Sequence, residues 1–197
     1  MTIYARLLAG LSALIVASAI IAAVVVIAFP ERTGLATRPS SVGGPFRLTD
    51  QNNRSVTDAD FKGKHFLVFF GFTHCPDICP TTLFEISEVL HRLGPDAERI
   101  AALFISVDPE RDTPEKLKEY LSNFHPNIVG LSGTPAEIEA VVKVYRAYTK
   151  KVPLAEGGYT MDHTALVYLM DKDGRFVAPF NLRRTADAAA ADLRRRL

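Results

Sequence analysis

From residue 7 to residue 30 the chain carries no charged side chain. About 20 apolar residues let a helix cross a bilayer with its backbone satisfied internally, so residues 1–30 predict one transmembrane helix. A cleaved signal peptide would have a shorter apolar region and a small-residue cleavage site. This run ends instead in Val26-Ile27-Ala28-Phe29-Pro30, which predicts a retained anchor. Arg6 lies on one side of it and Arg32 and Arg38 on the other, so positive charge does not set the orientation. No arginine- and serine-rich transit segment precedes the run, which points to a bacterial membrane rather than organellar import. Residues 31–45 hold Pro39, Ser40, Ser41, Gly43 and Gly44 without an apolar period and predict a flexible tether.

Beyond the tether, residues 46–197 alternate between two kinds of pattern. Residues 46–48 and 55–57 predict a short opening hairpin. Residues 65–71 (His-Phe-Leu-Val-Phe-Phe-Gly) and 100–107 are continuous apolar runs, as strands buried on both faces require. Between them a helix starts near Pro80, with Leu83, Ile86, Leu90 and Leu93 at helical spacing. Thr113-Pro114-Glu115 opens a second helix, and residues 128–131 form a short strand. Thr134-Pro135-Ala136-Glu137 is a capping box for a helix carrying Ile138, Val141, Val142 and Tyr145. Residues 165–170 and 175–179 flank Asp171-Lys172-Asp173-Gly174, a hairpin turn. Thr185 caps a last helix ending in Arg194, Arg195 and Arg196, which read as a solvated helix end. This order predicts an α/β fold of thioredoxin-like type, with a mostly parallel central sheet and helices on both faces.

Composition narrows the chemistry. A formal net charge of +1 does not suggest a nucleic-acid-binding surface. Two cysteines are too few for a disulfide scaffold, and a bridge closing so short a loop would stabilise little. They stand in Gly71-Phe72-Thr73-His74-Cys75-Pro76-Asp77-Ile78-Cys79-Pro80-Thr81, directly after the first central strand, where open sheets of this kind form their sites. With Cys79 at a helix N-terminus and Cys75 in the loop before it, both sulfurs converge above the helix, and the helix end is expected to lower the thiol pKa. Thiolate is both a redox nucleophile and the soft ligand that selects Cu(I). His163, in Met161-Asp162-His163-Thr164 before the closing hairpin, is the candidate third ligand, with His74 as its rival; His65, His91 and His125 read as structural or exposed. Zinc would need a fourth ligand, for which only water or Asp77 offers itself. A peroxiredoxin-type site would place a threonine three positions before Cys79, where Pro76 stands.

Residues 44–50, 71–80 and 106–114 and Asp162-His163-Thr164 resemble the Sco/SenC family in order and spacing, over residue 43 to residue 197. The resemblance implies a thioredoxin fold on the outer (periplasmic) side of the bacterial cytoplasmic membrane. It also implies copper, taken from an upstream copper donor and delivered to the CuA centre of cytochrome c oxidase subunit II. The family's copper ligands map onto Cys75, Cys79 and His163. The alternative is a thiol-disulfide reductase that keeps the CuA cysteines reduced, using Cys75 and Cys79 without His163. Asp162 is a candidate to orient His163, and residues 108–112, which also follow a strand end, read as a solvated turn or as a loop that touches a partner or supports the site. Residues 150–159 read as a longer connection whose glycines would let it order on binding copper or a partner.

Overall fold

The computed structural model describes residues 3–28 and 41–197, with side chains of the first helix described for residues 14–27. Two compact units divide at residue 39. The first contains α1, Ile3–Ala28. Among the described residues no helix is long and apolar enough to cross a membrane, so the span expected over residues 1–30 rests on the sequence. The expected tether lies outside the described residues as far as residue 40.

The second unit is an α/β domain. Its sheet of seven strands runs in the order β2-β1-β5-β4-β3-β8-β9. The strands are β1 (Arg47–Asp50), β2 (Ser55–Thr57), β3 (His65–Gly71), β4 (Ile100–Ser106), β5 (Ile128–Ser132), β8 (Val167–Met170) and β9 (Phe176–Pro179). β3, β4 and β5 are parallel, but β1 joins β5, β2 joins β1, β8 joins β3 and β9 joins β8 antiparallel, so the sheet is mixed rather than mostly parallel as expected: only the strands linked by crossover helices run together. β3 is central and buried from Phe66 to Gly71, which explains why it reads as an unbroken apolar run. Helices cover both faces. On one, Phe70 meets Tyr145 at the end of α4 (Pro135–Val144), with ring centroids 5.6 Å apart. On the other, Phe69 and Phe104 stack towards Tyr120 of α3 (Pro114–Leu121). On that second face α2 (Ile78–Leu93) lays Leu83, Ile86, Leu90 and Leu93 into the core and packs against α5 (Ala186–Arg194).

The expected caps are in place: Thr113, Thr134 and Thr185 each accept a backbone N–H three residues on, and Glu137 closes the capping box at Thr134. The terminal arginines are paired within the chain, Arg194 with Asp96 and both Arg195 and Arg196 with Asp192.

A second expectation is corrected. Residues 150–159 are not a plain connection: β6 (Thr149–Pro153) and β7 (Tyr159–His163) pair antiparallel along their whole length as a separate two-stranded ribbon. Gly157 and Gly158, with φ of +92° and +78°, lie in the turn that joins its strands.

Candidate metal centre

The cysteines are set by the end of β3. After Gly71 the buried Phe72 is followed by a loop, Thr73–His74–Cys75, and α2 then begins at Ile78, two residues before the expected start. Pro80 therefore lies inside the first turn, where its missing N–H is no loss. Cys79 is in that turn too, and its backbone N–H donates to Cys75 Sγ at 3.4 Å. Both cysteines are free; Cys75 is half-buried and Cys79 buried. Gly71 makes the approach possible, because a Cβ on it would stand 2.8 Å from Cys79 Sγ and 2.5 Å from Phe104 Cε2.

At Cys79, burial works against the expected lowering of the thiol pKa. Removing Cys79 from water pushes its thiol far up, and the neighbouring Cys75 and Asp112 add to the effect. The helix end is outweighed because the sulfur is enclosed rather than facing solvent. A cation held there would supply the compensation that the protein alone does not.

His163 is the last residue of β7, 84 positions from Cys79, yet its Nε2 lies 3.4 Å from Cys79 Sγ. Nδ1 faces the Thr164 carbonyl at 3.2 Å. A carbonyl only accepts, so Nδ1 carries the proton and Nε2 keeps its lone pair towards the sulfurs. Burial lowers the imidazole pKa, which favours the neutral, ligating form. The ring sits edge-on to Phe69 and Phe72, at 6.1 and 5.8 Å. The orienting acceptor is thus Thr164 O, not Asp162, which is exposed.

The donor atoms of Cys75, Cys79 and His163 all lie within 4.8 Å of one another. Three ligands on one ion at about 2.3 Å stand about 4 Å apart, so a movement of no more than about an ångström closes the set around a metal. Neither rival joins it. His74 Nδ1 turns to Thr73 Oγ1 at 3.1 Å and towards Asp112, and Asp77 is the exposed cap residue of α2.

Of the two readings of the loop between β4 and α3, the solvated turn fails and the supporting contact holds: Asp108 and Asp112 are 2% and 0% exposed. Asp112 Oδ2 accepts from Thr73 N at 2.9 Å and from Ser106 Oγ at 2.6 Å, and Oδ1 accepts from Thr73 Oγ1 at 2.7 Å. The available signal was its position after a strand end on the site's side of the sheet.

A thioredoxin-like domain carrying two cysteines and a distant histidine on one cluster defines the class. The family model described as SCO1/SenC matches residues 35–197, and the chain belongs to that family. Among solved structures it is similar to Bradyrhizobium japonicum ScoI with copper bound, at 66% identity and a TM-score of 0.77, covering 79% of this chain and 99% of that one. It is also similar to yeast Sco1 with copper bound, at 38% identity and a TM-score of 0.73, over 79% and 88%. A third, BsSco, is described as having a disulfide switch and as a member of the Sco family of cytochrome c oxidase assembly proteins; it is 26% identical with a TM-score of 0.63, over 80% and 95%. Among curated relatives, protein SCO2 of Saccharomyces cerevisiae mitochondria is 45% identical over 140 residues, 70% of this chain and 46% of that protein. The human mitochondrial SCO1 homolog is 40% identical over 158 residues, 77% and 52%. The chain spans about half the length of these curated relatives.

Proposed function

We propose that this protein is a copper chaperone of cytochrome c oxidase assembly that holds Cu(I) on Cys75 Sγ, Cys79 Sγ and His163 Nε2. It takes the ion from an upstream donor and passes it to the CuA centre of subunit II. The apolar run at residues 7–30 anchors it in a bacterial cytoplasmic membrane with the domain in the periplasm. The observation that carries this reading is the 4.8 Å cluster of two sulfurs and one imidazole nitrogen; copper-bound relatives of the same fold support it.

Copper is the cargo. Two soft thiolates and one neutral imidazole suit Cu(I), and a three-coordinate ion keeps one side open to an incoming thiolate. Loading displaces a proton from the buried Cys79 thiol, so the ion provides the charge balance that makes a thiolate tolerable there. Unloading proceeds by ligand exchange: a recipient thiolate bonds to the copper as a protein sulfur leaves and takes up a proton.

The test is a Cu(I) competition titration of the full chain against its His163→Ala variant. One tightly bound copper in the wild type, weakened at least tenfold in the variant, is expected. Equal affinities would remove His163 from the ligand set.

One observation favours the reductase alternative: Cys75 is the less buried residue of the pair and already receives the Cys79 N–H, as an attacking thiol with a buried resolving partner would. That reading predicts disulfide reduction at full rate in His163→Ala, and a reduction rate that collapsed in that variant would count against it.

A further inference from the structure

The copper donors of the reading above come from two separately built pieces. Cys75 and Cys79 follow β3 of the central sheet, whereas His163 ends a ribbon that shares no ladder with that sheet. Something has to fix the ribbon at the right distance. The loop after β4 reaches both pieces. Its Asp112 ties down Thr73 on the cysteine side, and the residue before it, Arg111, grips the start of β7.

Arg111 makes three contacts at once. Its Nε donates to Asp108 Oδ2, its Nη1 donates to the Tyr159 carbonyl at 3.0 Å, and its guanidinium lies 3.8 Å from the centroid of the Tyr159 ring. Tyr159 Oη in turn donates to Asp108 Oδ1 at 2.8 Å, which closes a cycle of three residues. The guanidinium also lies 5.9 Å from the Phe72 ring, and Phe72 is one of the two rings that flank His163. Nη2 is buried without a hydrogen-bond partner among the described residues. An orphaned guanidinium nitrogen is a cost that a solvated surface pair would never carry, so the group is held where it is by what its other atoms do.

Tyr159 and His163 are the two ends of β7, and every residue between them is paired with β6. A strand is a stiff rod of about 3.3 Å per residue, so fixing its first residue fixes its last. We propose that Arg111 is a positioning residue for His163: braced by Asp108, it seats the Tyr159 end of β7 and so sets the distance from the imidazole to the two sulfurs. This rests on the reading of Cys75, Cys79 and His163 as the Cu(I) donors. Lysine cannot replace it, because a point charge cannot serve a carboxylate, a carbonyl and a ring face together.

The experiment is a double-mutant cycle on the full chain, with Cu(I) affinity measured by competition for wild type, Arg111→Ala, His163→Ala and the double variant. Arg111→Ala is expected to weaken binding about 10- to 100-fold, the range seen when support around a ligand is removed. The double variant is expected to bind no more weakly than His163→Ala, since Arg111 acts through that histidine. X-ray absorption at the copper edge should show both sulfurs retained and the imidazole nitrogen lost or lengthened in Arg111→Ala, a signature that general destabilisation does not produce. Wild-type affinity in Arg111→Ala, or the same loss repeated on top of His163→Ala, would overturn the positioning role alone. Wild-type affinity in His163→Ala would overturn the donor set and the positioning role together. Where Arg111→Ala fails to fold by circular dichroism, Arg111→Lys and Tyr159→Phe replace it in the same cycle, with Arg111→Lys the weaker binder of the two. Additive losses there overturn the proposal equally.

Discussion

Gly71 shows how closely a single side chain is tied to the chemistry. An added methyl would stand 2.5 Å from Phe104 and 2.8 Å from the Cys79 sulfur. Gly71→Ala is expected to cost about 1–3 kcal/mol of stability by overpacking, and to weaken Cu(I) binding as well, because one neighbour that must yield is a ligand. Gly130 provides the control: its Cβ would meet Leu121 Cδ1 at 2.5 Å, with no sulfur nearby. Gly130→Ala should lose stability in urea denaturation and keep its copper affinity. Equal copper affinities in both variants would mean that the Cys79 sulfur has room to move. The cysteines themselves are legible from their spacing after a strand, and His163 from its resemblance to a known motif. The loop of Asp112 and Arg111 is legible only as one of two readings, because a charged loop beside a strand end has the composition of a solvated turn. Only burial separates the two, and burial is not written in the local sequence.

The helices are the best-specified segments. A threonine, a proline or acidic residue after it, and an apolar stripe at helical spacing are all local signals, and α3, α4 and α5 begin where these put them. The β6–β7 ribbon escapes such a reading. Thr149-Lys150-Lys151-Val152-Pro153 is half polar, buries little, and pairs outside the main sheet, so no alternation marks it. At the other edge, β1 ends in a turn closed by Asp50, whose carboxylate accepts from the N–H groups of Asn52 and Arg54 and pairs with the Arg54 guanidinium at 2.7 Å. Burial alone would raise the Asp50 pKa, but the Arg54 and Asn52 contacts outweigh it and hold the carboxyl below its ordinary value. The sign follows. A lowered folded-state pKa adds stability above the unfolded value of about 3.9, and that stability is lost as pH falls through the folded one. The urea midpoint of Asp50→Asn should therefore be lower than wild type at pH 6 and converge with it towards pH 2. A constant gap across that range would show that the carboxylate charge is not what closes the turn.

The domain as assembled brings its chemistry to one end of the sheet from both a central strand and an outlying ribbon. An ion that joins them stabilises the folded chain by mass action, by about 4 kcal/mol at a thousandfold excess over its dissociation constant. Amide exchange should report where that stabilisation goes. Cu(I) is expected to slow exchange along Thr149–Pro153 and Tyr159–His163 in the wild type and to leave those amides unchanged in His163→Ala. Equal slowing in both would mean that the ribbon is clamped by something other than its imidazole. The separate ladder of that ribbon has a mechanical corollary. Moving it breaks no rung of the seven-stranded sheet but breaks the contacts of Arg111 and Asp108 with Tyr159, whereas moving the Cys79 sulfur disturbs the first turn of α2. The grip on the ion is therefore uneven: the fingers belong to the palm, and the thumb works on its own joint, closed by a clasp that the palm does not share.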